Sequence, residues 1–293
     1  MKRKILVTGA TGKLGGLVVE ALLKKTDAAN IVVMVRDKAK ARNIQAKGIE
    51  VRTGNYEDVA SLTKAFKDIG KIYFVSGNDL EKRVEQHKNV VKIAEEVNVD
   101  HVIYTSFGPS DYSENSPLYD VAKGHLIAEE SLKNSGLTYT ILKHNLYMEV
   151  IPLFAGENLM ESRAIYLPAE DGKAAYMARK DMAVLAAEIL TGTGHENKIY
   201  EVSGERSYSF KEIASLITEV SGKEINYVSP SVEDFQATLE SYGLSAPAIA
   251  MTVMFAKGIA QGAFNKTSTT FKDLTGKEIT PLKTFLKEVF GSE

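Results

Sequence analysis

The stretch Ile5-Leu6-Val7-Thr8-Gly9-Ala10-Thr11-Gly12-Lys13-Leu14-Gly15-Gly16-Leu17-Val18-Val19-Glu20-Ala21-Leu22-Leu23 decides how this chain folds. An apolar run of strand type comes first, glycines at positions 9, 12 and 15 follow, and an apolar helical run closes it. Strand, glycine turn and helix in that order bring backbone amides and a helix N-terminus to face an anion, for which a dinucleotide pyrophosphate is the natural guest. Gly9 permits the sharp turn, Gly12 lets the backbone approach a phosphate, and Gly15 lets the helix sit close to the sheet. The residues expected to hold the cofactor here are Gly9, Thr11, Gly12, Lys13, Leu14 and Gly15, with hydroxyl donors at Thr8 and Thr11.

Working outward, the first half alternates short β-branched runs with longer amphipathic ones, the pattern of βα units around a parallel sheet. Strands are expected at 4–7, 31–35, 50–53, 71–76, 101–106 and 138–143. Ile31-Val32-Val33-Met34-Val35 is apolar throughout, as a strand covered on both faces should be. Helices are expected at 83–98 and 120–134, with His87 on an apolar face as a satisfied core histidine. Beyond Lys143 the pattern loosens: helix at 180–190, strand at 199–202, a capping box at Ser209-Phe210-Lys211-Glu212 opening a helix to Ser221, strand at 225–228, a helix from Ser231 or Val232, and a short last helix from Thr280. The expected architecture is α/β, a Rossmann-type doubly wound parallel sheet with a smaller α/β C-terminal substrate lobe. The division is 1–146 for the NAD(P)-binding domain and 147–293 for the lobe, with segments returning to the main sheet.

The end of the second strand selects the dinucleotide. A carboxylate there accepts from a ribose 2′-hydroxyl, whereas an arginine suits a 2′-phosphate. Met34-Val35-Arg36-Asp37 offers both, but Arg36 comes first and Lys38, Lys40 and Arg42 add positive charge. NADPH is therefore expected, with Asp37 as the residue that would favour NADH. Other strand ends supply Asn55 for the adenine, Ser76 and Gly77 for the ribose, and Thr105; turn chemistry alone is the competing reading of Asn55.

Ser106 ends the fifth strand, Tyr119 follows 13 positions later, and Lys123 stands four beyond it. Tyrosine and lysine at i, i+4 share a helix face. A nearby ammonium favours phenolate, so the phenol can pass a proton to a carbonyl oxygen that the serine orients. Ser106, Tyr119 and Lys123 are the catalytic candidates. The competing reading is a surface helix opened by Pro117, with Tyr119 packed at its base and Lys123 solvated.

The 293 residues are 44% hydrophobic and carry a net charge of -2, which offers no global field for nucleic acid. Cysteine is absent, which removes disulfides and thiolate chemistry and fits a cytoplasmic setting. Lys2-Arg3-Lys4 before Ile5-Leu6-Val7 mimics the start of a signal peptide, but glycines interrupt the apolar run at once. No apolar stretch approaches the ~20 residues that span a bilayer. No His and carboxylate grouping shows metal spacing.

The glycine loop and Thr105-Ser106 resemble the short-chain dehydrogenase/reductase superfamily. Together with Val35-Arg36-Asp37, Tyr104-Thr105-Ser106, Tyr139-Thr140-Ile141-Leu142-Lys143-His144-Asn145-Leu146-Tyr147 and Gly194-His195-Glu196-Asn197-Lys198-Ile199-Tyr200, they make the chain similar, over essentially its full length, to the NmrA-like group of atypical members. The resemblance implies an oxidoreductase with a cleft between domain and lobe that holds NADPH and a flat aromatic acceptor, and hydride transfer to quinones or related conjugated acceptors without flavin or metal. Arg36 matches the position that the group uses for the 2′-phosphate. Lys143 stands where relatives usually carry arginine, and the branch often lacks the Tyr-x-x-x-Lys pair found here. Near the cleft, Phe107, Tyr112, His144 and Tyr147 are the expected substrate contacts, with a hydrogen-bonded structural role as the competing reading of His144. The alternative function is a non-catalytic NAD(P)-binding redox sensor or regulator. A homodimer stays open, and neither nucleic acid nor membrane is an expected partner.

Overall fold

The computed structural model describes residues 4–291; Lys2 and Arg3 of the basic start lie outside the described residues. Six strands, β1 (Lys4–Thr8), β2 (Ile31–Val35), β3 (Glu50–Thr53), β4 (Ile69–Phe74), β5 (His101–Phe107) and β6 (Thr138–His144), and a seventh, Lys198–Val202, form one sheet. Its order is β3-β2-β1-β4-β5-β6 and then the seventh strand, and every pairing is parallel. The order reverses between β1 and β4, so a crevice opens there at the C-terminal strand ends.

Alternation along the strands divides the interior. Val7, Val33, Tyr73, Ile103 and Leu142 point to one face, where helices Lys13–Leu23 and Arg179–Thr191 supply Val18, Leu22, Leu185 and Ile189. Their neighbours Leu6, Val32, Ile72, Val102 and Tyr104 point to the other, against Leu62, Phe66, Val90, Ile93 and Leu132 from helices Val59–Phe66, Arg83–Glu96 and Tyr119–Asn134. β2 is buried at every residue, because both faces are covered.

A third core belongs to the C-terminal lobe, around Tyr176, Phe210, Ile213, Ile217, Ile259, Phe264 and Leu286. Two small pairings brace it: Ala164–Tyr166 runs parallel to Asn226–Val228, and Lys173–Ala174 antiparallel to Tyr208–Ser209. The capping box forms as read: Glu212 N–H donates to Ser209 Oγ at 3.2 Å and Ser209 N–H donates back to Glu212 at 2.9 Å.

Arg179–Thr191, Lys198–Val202 and Phe271 pack into the sheet and core of the first 146 residues. Two features differ from the sequence reading. The fourth strand spans Ile69–Phe74, so Ser76 lies past its end. Helix Ala246–Ala260 was not foreseen, because its sequence is apolar or small on every side and shows no alternating face. No helix among the described residues is long and apolar enough to cross a membrane.

Candidate active site

The glycine loop has the geometry its spacing implies. Gly9 sits at φ +61°, and a Cβ on Gly15 would stand 2.4 Å from the Gly9 carbonyl oxygen. The helix can approach the loop this closely only without a side chain there. Gly12 donates to the same oxygen at 2.9 Å and caps the helix with no side chain. The first-turn amides of Lys13, Leu14 and Gly15 therefore have no partner inside the helix and lie at its positive end. Thr11 and Lys13 are exposed beside them, whereas the Leu14 side chain is buried, leaving its amide as the group able to face a ligand. This cradle fits a pyrophosphate.

Thr8 corrects the sequence reading. Its fully buried hydroxyl accepts from Val75 N–H at 2.9 Å and from the Tyr56 hydroxyl, and donates to Tyr73 O at 3.3 Å. It ties β1 to β4 and does not point to the loop's mouth.

Past β2, neighbouring residues take different tasks. Asp37 accepts from Ala39 N–H at 2.8 Å and caps the short turn Lys38–Ala41. Arg36 is exposed and makes no ion pair among the described residues. Asn55 Oδ1 accepts from Glu57 N–H at 3.3 Å, a local turn bond that leaves its Nδ2 open. Thr105 Oγ1 accepts from Ser76 N–H at 2.9 Å, fixing the two strand ends together. Gly77 is held on both sides: its N–H donates to His87 Nε2 at 3.0 Å and its carbonyl accepts from Arg83 Nε at 2.7 Å. A Cβ there would meet Gln86 Oε1 at 2.6 Å.

Between the ends of β4, β5 and β6 and the lobe lies a cavity of about 400 Å³. Ser76, Thr105, Ser106, Phe107, His144 and Tyr147 line it. Its walls also include Arg83, His125, Leu153, Phe154, Met251 and Phe255, which the sequence reading missed. No motif marks them; they meet because helix faces from distant segments converge. Most of the lining is apolar or aromatic. Phe107 packs at 5.7 Å from the His125 ring and 6.2 Å from Phe255, and the Arg179 guanidinium sits 4.2 Å above the Tyr147 ring.

The expected Ser106, Tyr119 and Lys123 arrangement is not formed. Ser106 Oγ donates to the buried carboxylate of Glu129 at 2.6 Å, and Lys143 and Lys133 stand 3.6 and 3.4 Å from that carboxylate. On helix Tyr119–Asn134 it is Val121 and His125 that face the cavity. At about 100° per residue, Tyr119 and Lys123 share a different face. Lys123 is exposed and Tyr119 half-buried outside the lining. Tyr112 is likewise outside the lining: its hydroxyl donates to Phe107 O at 2.9 Å and accepts from Lys143 at 3.3 Å, which makes it a brace behind β5.

Three histidines sit at or under the cavity, and burial holds all three neutral. The His144 ring is 3% exposed, both nitrogens lack a partner among the described residues, and its pKa is pushed down to about 3. A hydrogen-bonded structural role thus does not describe it. His87 is pushed down to about 3 by burial and then by the Arg83 charge, and His125 well below the usual range by the same causes. Tyr104, fully buried, lies between them, 3.3 Å from His87 Nδ1 and 2.8 Å from His125 Nδ1. His87 is the satisfied core histidine that its apolar helix face implied.

A model of the NmrA-like family matches residues 1–280. Quinone oxidoreductase 2 of Escherichia coli (strain K12) is 35% identical over 287 residues, 98% of this chain and 99% of that protein. Among solved structures, Citrobacter sp. triphenylmethane reductase complexed with NADP(H) superposes with a TM-score of 0.90 at 37% identity, covering 97% of this chain and 99% of that one. The NADPH complex of the E. coli NADPH-dependent quinone oxidoreductase gives 0.91 at 35% identity, covering 98% and 100%. The transcriptional regulator NmrA, at 13% identity and a TM-score of 0.77, shares the fold.

Proposed function

The chain belongs to the NmrA-like family, and on that premise we propose that it is an NADPH-dependent oxidoreductase passing a hydride to a quinone or a similar conjugated aromatic acceptor. The observation that carries this reading is the aromatic-walled cavity at the ends of β4, β5 and β6, beside the switch point and its open glycine loop. When bound, NADPH supplies a hydride at its nicotinamide. The amides of Lys13, Leu14 and Gly15 hold the pyrophosphate, and Arg36 pairs with the 2′-phosphate. Phe107 and Tyr147 offer rings on which a flat acceptor stacks. Phe255 and Met251 add apolar surface to the lining. Glu129 holds the Ser106 hydroxyl as a donor to itself, so the serine turns lone pairs toward the cavity.

A quinone is electrophilic enough to accept hydride without a strong protein acid, which suits a cavity whose histidines are neutral. The reading needs neither flavin nor metal, since a hydride already carries both electrons. A cytoplasmic setting belongs to it, supported by a chain without cysteine.

The test follows NADPH absorbance with benzoquinone, menadione and a triphenylmethane dye. Turnover of at least one, faster with NADPH than with NADH, is expected. A protein that binds NADPH and turns over none of them overturns the enzymatic reading in favour of a sensor.

A further inference from the structure

We propose that His125 is the hydrogen-bond donor that orients the acceptor's oxygen, and that the backbone amide of Gly77 fixes this donor from a distance, through His87 and Tyr104. The proposal rests on reading the cavity as the acceptor site, and it follows from a chain of four groups whose direction has one solution.

A backbone N–H can only donate. Gly77 N–H lies 3.0 Å from His87 Nε2, so that nitrogen accepts and the proton of the neutral ring sits on Nδ1. His87 Nδ1–H then has only acceptors before it, Tyr104 Oη at 3.3 Å and the Gly124 backbone, so Nδ1 cannot accept the Tyr104 proton. The single proton of the buried Tyr104 hydroxyl is left one acceptor, His125 Nδ1 at 2.8 Å. His125 thus carries its own proton on Nε2. That nitrogen has no partner among the described residues and is not among the unpaired polar atoms sealed from solvent, while the ring lines the cavity. The result is an N–H presented to the cavity in a fixed tautomer.

The charged and titratable groups around the relay agree. Arg83 is the cation beside it, and its guanidinium is pinned to Gly77 O and Val121 O. Arg83, His87 and His144 all oppose a proton on His125. The donor therefore stays neutral, and its natural partner is a carbonyl oxygen that gains negative charge as hydride arrives. Gly77, His87 and Tyr104 are positioning residues; only His125 reaches the acceptor.

The experiment has two arms. In the first, NMR of ¹⁵N-histidine-labelled protein reads the tautomer. His125 should carry its proton on Nε2 from pH 5 to 8 in the wild type, and Tyr104→Phe should let it populate both tautomers. In the second, His125→Phe keeps the ring beside Phe107 but removes the donor. It should lower kcat/KM for the quinone by roughly 10–10³-fold with the Kd for NADPH unchanged. His125→Gln, whose amide nitrogen stands in the Nε2 position, should recover much of that loss. A wild-type proton on Nδ1, or a His125→Phe enzyme within about threefold of wild type, overturns the proposal. A wild-type protein inactive on every acceptor overturns the proposed function and the acceptor contact with it, and is told apart because the tautomer is read without turnover.

Discussion

At the scale of single residues, Arg36 and Asp37 show how adjacent side chains part ways. The carboxylate is engaged by the Ala39 amide, and the guanidinium is exposed at the strand end with no ion pair among the described residues. Arg36→Ala should raise KM for NADPH by roughly tenfold or more and KM for NADH by less than about twofold, since only the former carries the phosphate that arginine pairs with. Steady-state kinetics with both nucleotides measures this. Tyr119→Phe should leave kcat within about threefold of wild type, whereas loss of a true proton donor costs roughly 10²–10⁴. The turn glycines were legible in the sequence because they answer the local demands of a tight turn. Thr8 and Tyr112 were misjudged because a hydroxyl's partners depend on β4 and β6, which local sequence does not report. His125 was invisible for the same reason: its task is set by a strand-end amide 48 positions earlier, through two rings.

At the scale of elements, the helix Lys13–Leu23 owes its position to the missing side chain at Gly15. Gly15→Ala places a methyl against backbone, which cannot rotate away. The helix must lift from the loop, at about 1–3 kcal/mol for overpacking. Calorimetry should find NADPH binding weakened by roughly tenfold or more, together with a lower Tm; affinity and Tm equal to wild type would contradict the close seating described here. Strands with strong β-branched patterns were readable because burial on both faces demands them. Helix Ala246–Ala260 escaped because a segment made of small and apolar residues has no polar face to set its period, yet it supplies Met251 and Phe255 to the cavity.

At the scale of the molecule, all five histidines are held below their ordinary pKa, with burial the first cause of each: His87 and His144 near 3, His101 near 4, His125 and His195 in the same direction. The unfolded chain takes up these protons near pH 6.5 and the folded one does not. Stability is therefore full above about pH 6.5 and falls as pH drops toward 3, with a slope of about 1.4 kcal/mol per pH unit for each of the deeply buried His87 and His144 in that window. Urea midpoints should be level from pH 7 to 8 and decline steadily below 6.5; a midpoint unchanged down to pH 5 would contradict the neutral state of these rings. The returning seventh strand carries a different consequence. β6 pairs with Lys198–Val202, which follows it only after the segment 145–197 has been made. At about 5–20 residues per second, a ribosome leaves that flank of β6 bare for several seconds. During this interval the nascent protein displays an adhesive backbone edge to its crowded surroundings.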